Sequence, residues 1–173
     1  CSSDLAKNIL IATGGRPNLD ENLPGVEHVI TSNEVFDLAE FPRRILIAGG
    51  GYIALEFAGI FCDLGAEVTV IYRGEKPLRG FDDDLRDGLI DAYDKAGIRF
   101  VLGDTFRAIE KGSDGLTGIT KKGERLVADQ ILFAIGRAPN VEGLGLEKAG
   151  VILASDGAIA VDSASRTNIA HIF

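Results

Sequence analysis

The chain has 173 residues, which is enough for one domain with a hydrophobic core. Its formal charge of -8 argues against broad contact with nucleic acid or anionic lipid, so any anion site must be built from a few placed groups. A composition of 22 Gly and 5 Pro favours an α/β fold with tight turns. No apolar run approaches the ~20 residues that span a bilayer. Cys1 and Cys62 form no redox or metal motif, which indicates a reducing, cytoplasmic compartment and no metal site.

The first hundred residues predict a connector followed by a β-α-β unit. An apolar run at 8–12 predicts a buried strand, and 18–41 predicts a connector with a short helix at 32–38 that Ser32 would cap. Arg44–Ala48 predicts a buried strand, 52–64 has apolar residues at helical spacing, and Glu67–Tyr72 is rich in β-branched residues. A second helix is predicted over 82–97, with acidic residues at its start, and a third strand over 98–102.

The second part of the chain predicts antiparallel structure and one more buried strand. Residues 104–125 alternate in character and carry four glycines, which predicts two or three strands joined by tight turns. A final buried strand is predicted at 130–135. The expected fold class is therefore α/β: a Rossmann-like parallel sheet with helices on both faces, plus a small antiparallel β-meander.

The turn at 49–54, Gly-Gly-Gly-Tyr-Ile-Ala, lies between a predicted strand and a predicted helix. Gly49 would allow the tight turn, Gly51 would let the backbone approach a pyrophosphate, and Ala54 would let helix and strand pack closely. The helix N-terminus offers unpaired N–H groups to phosphates. The spacing and its context predict a dinucleotide-binding turn.

The end of the second strand indicates which dinucleotide. NAD-binding sites usually carry an acid there, which holds the ribose 2′-hydroxyl, whereas this strand ends at Tyr72 and Arg73. Arg73 and Arg79 could both contact a 2′-phosphate. The pattern favours NADPH over NADH, and the missing acid also argues against FAD in this turn. At the nicotinamide end, Tyr52 and Glu56 share one helix face at i, i+4, with Ile53 beside them.

The segments 49–58 and 70–83 resemble the NADPH domain of glutathione reductases, within the flavoprotein pyridine nucleotide–disulfide oxidoreductases. The resemblance covers nearly the whole chain. It implies that 1–15 is the end of an FAD-binding domain, 16–139 the NADPH-binding domain, and 140–173 a truncated returning segment of the FAD-binding domain. Dihydrolipoamide dehydrogenases resemble the first turn but are expected to carry an acid near 72–73.

The resemblance also implies roles for single residues. Contact with NADPH is implied for Gly50, Ile53, Glu56 and Gly136. The 2′-phosphate would be held by Arg73 and Arg79, and Tyr52 would act as a gate that covers the flavin until nicotinamide displaces it. Thr13 and Gly14 would lie near FAD in the intact enzyme.

The implied activity is electron transfer from NADPH to FAD, then to a disulfide and to oxidised glutathione. The sequence contains no FAD fingerprint and no redox cysteine pair, so we expect this chain to bind NADPH without turnover and to hold no catalytic residue. FAD would belong to the full-length enzyme, an expected homodimer in which the FAD and interface domains complete the polypeptide. A domain of a dihydrolipoamide dehydrogenase, a mercuric or trypanothione reductase, or a stand-alone NADPH-binding module remains an alternative.

Overall fold

The computed structural model describes residues 5–173, so Cys1 lies outside the described part. The chain divides into two compact units, one of residues 17–136 and one of 5–16 together with 137–173. No helix among the described residues is both long and apolar enough to cross a membrane. In chain order the elements are β1 Gly15–Pro17, β2 Arg44–Ala48, α1 Tyr52–Asp63, β3 Glu67–Tyr72, α2 Asp83–Ala96, β4 Arg99–Leu102, β5 Phe106–Gly112, β6 Gly115–Thr120, β7 Arg125–Ala128, β8 Gln130–Phe133, β9 Arg137–Pro139 and α3 Leu146–Ala149.

A four-stranded parallel sheet forms the centre of the 17–136 unit. Its strand order is β4-β3-β2-β8, and each neighbouring pair is parallel. The runs predicted as β2 and β3 form strands with the predicted bounds, because both are continuous apolar or β-branched segments covered on both faces. The strands β5, β6 and β7 form a separate antiparallel sheet, which confirms the predicted meander.

The two faces of the parallel sheet are covered by different structures. Ile45 and Ile47 share one apolar cluster with Ala54 and Leu55 of α1, and Leu89 of α2 packs against the same cluster. Residues of the opposite face share a second cluster with the antiparallel sheet: Leu46, Ala48, Phe106, Leu116 and Leu126. The mixed α/β fold is confirmed, but the expectation of helices on both faces is wrong, because the meander covers the second face.

The ends of α2 follow the chemistry of the sequence. The Asp82 carboxylate accepts the Asp84 backbone N–H at 3.0 Å and so caps the helix start. The helix ends at Gly97, whose φ of 93° is readily available only to glycine. Tyr93, on the buried side of α2, donates its hydroxyl to the Leu55 carbonyl at 2.9 Å and thereby ties α2 to α1.

Two predicted elements differ from the structure. Residues 8–12 are mostly exposed, with Leu10 75% exposed, so the predicted buried strand is wrong. Within residues 5–173 their one β-bridge joins Ile9 to Ile172, with backbone hydrogen bonds to His171 and Phe173 on either side. The predicted helix at 32–38 is a 3₁₀ turn, Glu34–Asp37, and its N-cap is Asn33 instead of the predicted Ser32. Thr31 precedes this turn and bonds to its first residue: the hydroxyl and the N–H of Thr31 both donate to the Glu34 carboxylate, and these bonds lower the pKa of that carboxyl.

Candidate functional site

The turn after β2 is held in place by its neighbouring strands. Gly49 has a φ of 142°, and its N–H donates to the Ile71 carbonyl of β3 at 2.9 Å. A Cβ added to Gly49 would lie 2.3 Å from the Ala134 carbonyl oxygen, just past β8. The same Cβ would lie 3.2 Å from that of Ala54, which is fully buried. Backbone conformation and packing therefore both require glycine at position 49, and close packing requires a small residue at 54.

Gly50 is required by an aromatic neighbour. A Cβ at this position would lie 2.5 Å from Cγ and Cδ2 of the Tyr72 ring, and a Cβ at Gly74 would lie 2.6 Å from Cε1 of the same ring. Tyr72 ends β3, at the place where an acid stands in NAD-binding sites. Its ring therefore occupies the strand tip between two glycines, and the middle glycine of the turn serves packing.

No contact among the described residues requires glycine at position 51. Its φ of -85° and ψ of 172° are open to any residue, and a Cβ there would meet no atom within 4 Å. It precedes α1 as the N-cap, with no side-chain hydrogen bond at the cap. The first N–H groups of a helix have no intrahelical acceptor, so those of Tyr52 and Ile53 remain available. A bare helix start beside open space suits an anion.

Two arginines stand beside this helix start without protein partners. Arg73 follows Tyr72 at the tip of β3, and Arg79 lies in the loop after it; both are exposed. Among residues 5–173, none forms an ion pair or a side-chain hydrogen bond with either guanidinium. Lys76, in the same loop, is instead held by Asp87 at 2.8 Å. The loop thus offers two guanidinium groups that could hold a phosphate bidentately.

The loop at 73–81 is fixed to the turn and to α2. The Leu78 N–H donates to the Gly50 carbonyl at 2.6 Å, and the side chains of Leu78 and Pro77 are buried. Arg86 of α2 donates from Nε to the Pro77 carbonyl at 2.8 Å and from Nη2 to the Lys76 carbonyl at 3.0 Å. Arg79 therefore directly follows the residue whose N–H bonds to the glycine turn.

The residues predicted at the nicotinamide end lie on the first turns of α1. Tyr52 is 58% exposed, Glu56 is exposed and Ile53 is half-buried. Because α1 begins at Tyr52, the predicted i, i+4 relation between Tyr52 and Glu56 puts both side chains on one helix face. Neither makes an ion pair or side-chain hydrogen bond within the described residues. This face is open to contact from outside the 17–136 unit.

The remaining predicted residues fall in two places. Gly136, with a φ of 132°, follows β8 at the same edge of the sheet as the turn, and its carbonyl accepts the Asn18 N–H at 2.9 Å. Thr13 and Gly14 belong to the other unit, where their carbonyls accept from Asn140, at 3.4 Å and 3.0 Å. The structure therefore gathers the predicted NADPH residues in one unit and leaves the two predicted FAD residues in the other.

The two carboxyl groups described next have shifted pKa values and lie away from the glycine turn. Asp129, beside the start of β2, accepts two hydrogen bonds from the Arg44 guanidinium, which lower the pKa of its carboxyl. Asp104 is buried and accepts the N–H groups of Thr105 and Lys122; hydrogen bonds lower the pKa of this carboxyl too, against the effect of burial. Both groups join backbone segments. No cluster of potential metal ligands occurs anywhere in 5–173.

Sequence reasoning missed three residues of the site: Tyr72 as a ring between two glycines, Leu78 and Arg86. A glycine two residues after Tyr72 was the available signal for the first. Leu78 and Arg86 act through backbone atoms, and no sequence motif marks such contacts.

Comparison with known proteins identifies the family. The model of the pyridine nucleotide-disulphide oxidoreductases matches residues 2–173. The chain belongs to this family. It is 47% identical to a glutathione reductase of Burkholderia cepacia over 97% of its own length and 37% of that enzyme. It is 44% identical to a trypanothione reductase of Trypanosoma congolense, over 97% of the chain and 35% of that enzyme. The chain thus spans little more than a third of these relatives.

Solved structures give the same result. An engineered water-forming NADPH oxidase bound to NADPH matches with a TM-score of 0.84 and 28% identity, over 99% of this chain and 39% of that one. Its parent, the NADH oxidase of Lactobacillus brevis bound to NADH, matches with a TM-score of 0.84 and 26% identity, over the same shares. The family assignment, the mixed α/β fold and the oxidoreductase class therefore agree with the expectations from sequence.

Proposed function

We propose that the 17–136 unit binds NADPH. The observation that carries this proposal is the pair of unpartnered, exposed arginines, Arg73 and Arg79, at a strand tip that lacks an acid and lies beside an uncapped helix start. An ordinary surface arginine in a chain of net charge -8 has many acidic neighbours to pair with. Among residues 5–173, neither of these two arginines forms an ion pair, while Lys76 between them pairs with Asp87.

Each part of the site then has a task. The N–H groups at the start of α1 would hold the pyrophosphate, and the absence of a Cβ on Gly51 would let it come close to the backbone. Arg73 and Arg79 would hold the 2′-phosphate. The Tyr72 ring at the strand tip offers no carboxylate to the 2′-hydroxyl, so NADH would gain nothing there. Gly136 would border the same cofactor from the end of β8.

The engineered oxidase supports this division of roles. It differs from its NADH-bound parent by five substitutions, including a glycine to alanine, and changes to arginine 19 and 25 positions later. This chain has Ala54, with Arg73 and Arg79 at those same two distances after it. The position before the first of those arginines was changed from aspartate in the oxidase, and here it is Tyr72. The alanine and the two arginines of the NADPH-bound enzyme thus recur in this chain at the same spacing, whereas the positions of its second alanine and its serine carry Tyr72 and Gly74 here.

We further propose that the chain is the NADPH-binding part of a flavin-dependent disulfide reductase, with glutathione as the disulfide substrate. In that role the bound nicotinamide would supply the hydride that FAD accepts. Tyr52 and Glu56 on the exposed face of α1 would stand at the nicotinamide, with Tyr52 as the gate and Ile53 beside it. Thr13 and Gly14 would border FAD. The chain has no redox cysteine pair and no second dinucleotide turn, so by itself it would bind NADPH without turnover.

Trypanothione reductase is the second candidate for the parent activity, because a relative of that name matches nearly as well as a glutathione reductase. The residues that line the disulfide substrate site would decide between the two substrates, and we expect those residues to lie outside this chain. Turnover of the full-length protein with each disulfide decides between them. If the chain belongs to a stand-alone NADPH-binding module, the full-length protein should reduce neither disulfide.

Calorimetric titration of the chain with NADPH and with NADH tests the cofactor proposal. A charge-assisted hydrogen bond contributes about 1.5–3 kcal/mol, so each arginine should favour NADPH about ten- to a hundred-fold. Arg73→Glu should reverse the preference. Arg107→Glu is the matched control, because Arg107 is exposed on β5 and the change in net charge is the same. Equal affinity for both cofactors in the unchanged chain would overturn the proposal.

A further inference from the structure

Arg86 lies on the first turn of α2, outside the glycine turn and the arginine pair that predict the cofactor site. Its side chain is only 18% exposed. Three of its nitrogens donate to protein oxygens: Nε to the Pro77 carbonyl at 2.8 Å, Nη2 to the Lys76 carbonyl at 3.0 Å and Nη1 to the Asp83 carboxylate at 2.6 Å. A half-buried arginine is thus committed to two successive carbonyls of the loop that carries Arg79.

Two successive carbonyls facing one guanidinium require a turned backbone. In an extended strand, successive residues face opposite sides, so a single side chain cannot reach both oxygens. The planar fork of arginine presents several N–H groups in a fixed arrangement and can specify such a turn. The compact ammonium of lysine cannot do so in the same way.

The next residue shows that this backbone is held under strain. Leu78 has a φ of 54°, in the left-handed region that a branched, non-glycine residue rarely adopts. Such a conformation persists only when the surroundings fix it, and it is frequent at ligand clamps. Here the surroundings are the buried Leu78 side chain, its N–H bond to the Gly50 carbonyl and the two Arg86 bonds just before it.

The strained residue leads directly to Arg79. After Leu78 the chain is exposed, and the Phe81 N–H closes the turn on the Leu78 carbonyl at 3.0 Å. The direction in which Arg79 leaves the loop therefore depends on the backbone at 76–78. Arg86 fixes that backbone from α2, and Leu78 joins it to the glycine turn.

We propose that Arg86 is a positioning residue of the 2′-phosphate site: it holds the loop at 76–78 in its strained form and so presents Arg79 to the phosphate. The inference rests on the proposed NADPH binding. Arg86 does not touch the cofactor in this scheme, and its effect passes through Arg79. The contact with Asp83, whose side chain is 74% exposed, is accessory.

The test is a double-mutant cycle in the chain, with Arg79→Ala, Arg86→Gln and the double variant titrated against NADPH and NADH. Arg86→Gln should weaken NADPH about ten-fold, close to the effect of Arg79→Ala, and leave NADH within about two-fold. In the Arg79→Ala background, Arg86→Gln should add little. Additive losses would overturn the proposal, because they would make Arg86 an independent phosphate ligand.

Two further variants separate the clamp from charge and from folding. Arg86→Lys keeps the charge but loses the fork, and it should behave like Arg86→Gln; binding like the unchanged chain would contradict the inference. Asp83→Asn removes the ion pair, leaves both carbonyl bonds and should keep NADPH affinity. NADH binding and thermal melting report whether each variant folds.

The failures are distinguishable. If the unchanged chain does not prefer NADPH, the proposed function fails. If it does and Arg86→Gln retains that preference, only the role of Arg86 fails.

Discussion

Gly51→Ala should weaken the binding of NADPH without weakening the fold. The φ of -85° and ψ of 172° at Gly51 suit alanine, and the new Cβ would meet no protein atom within 4 Å. Replacing glycine by alanine at a compatible site stabilises by about 0.4–1 kcal/mol through the unfolded chain. Alanine is also a poorer N-cap than glycine by a similar amount. The two effects offset, so we expect the free energy of unfolding to change by less than about 0.5 kcal/mol.

The effect on binding should be much larger. The methyl group would project into the open space at the start of α1, where the pyrophosphate is proposed to lie. Forcing a methyl group into a packed contact costs about 1–3 kcal/mol, which corresponds to about a 5- to 100-fold loss of affinity. NADH should lose affinity by the same factor as NADPH, because both cofactors contain the pyrophosphate.

Alanine variants at two other glycines, Gly88 and Gly50, provide the comparison with Gly51→Ala. Gly88→Ala lies within α2 with no atom near its Cβ, and it should stabilise by about 1 kcal/mol without any effect on binding. Gly50→Ala would drive its Cβ to 2.5 Å from the Tyr72 ring and should cost about 1–3 kcal/mol of stability. Calorimetry and urea unfolding measure both quantities. Gly51→Ala with unchanged cofactor affinity, or with a loss of stability like that of Gly50→Ala, would refute the assignment of the open space to a ligand.

Two more outcomes are expected. Tyr52→Ala in the chain should lower the free energy of unfolding by less than about 1 kcal/mol, because the ring is 58% exposed, whereas loss of a buried aromatic would cost about 3–5 kcal/mol. In the full-length protein the same change should alter the rate at which NADPH reduces the flavin, measured by rapid mixing. A large drop in melting temperature with an unaltered rate would rule out the gate. Asp129→Asn should lower the free energy of unfolding at neutral pH, and the difference in that free energy from the unchanged chain should shrink as the pH falls below about 4. The hydrogen bonds from Arg44 lower the pKa of the Asp129 carboxyl in the folded state. The stabilisation from this carboxylate is therefore present above the unfolded-state pKa and is lost as the pH falls through the lower folded-state pKa. Acid titration by circular dichroism measures this, with Glu124→Gln, in an exposed pair with Arg99, as the control; a constant difference across that range would contradict the linkage.

The parallel sheet was predictable because local and tertiary requirements agree in its strands. Arg44–Ala48 and Glu67–Tyr72 are continuous apolar or β-branched runs, and such runs indicate strands that are covered on both faces. The pattern says that both faces are covered but does not say by what. Leu46 would be equally buried under a helix or under the side chains of an antiparallel sheet, so the placement of β5, β6 and β7 could not be derived from it.

Short apolar runs were less reliable than long ones. The segment 8–12 has the composition of a buried strand, yet Leu10 is 75% exposed in the structure. Burial depends on what packs against a strand, and among the described residues only the stretch around Ile172 pairs with this one. The start of the 3₁₀ turn at Glu34–Asp37 was predicted one residue too early for a similar reason: Ser32 and Asn33 are both residues that favour the N-cap, and only the geometry selects Asn33.

The three consecutive glycines of the turn illustrate how far sequence reasoning reaches. Gly49 was explained in advance, because a positive φ and close contact with a neighbouring strand are general features of such turns. Gly51 was explained by a ligand, and the empty space around its Cβ position agrees with that explanation. Gly50 was attributed to cofactor contact, whereas its nearest constraint is the ring of Tyr72, a residue 22 positions later in the sequence.

That constraint joins cofactor preference to the packing of the turn. The strand tip that would carry an acid for NADH carries an aromatic ring, and this ring lies against Gly50 on one side and Gly74 on the other. An aspartate at 72 would supply the hydrogen-bond acceptor for a 2′-hydroxyl but would remove the ring from between the glycines, leaving the turn without the group against which it packs. Gly50 also accepts the N–H of Leu78, so a shift of the turn would reach the loop that carries Arg79. Tyr72, the two glycines and the loop that carries Arg79 are therefore connected by packing and by one hydrogen bond, so we expect a substitution at the strand tip that alters the proposed cofactor preference to affect the loop as well.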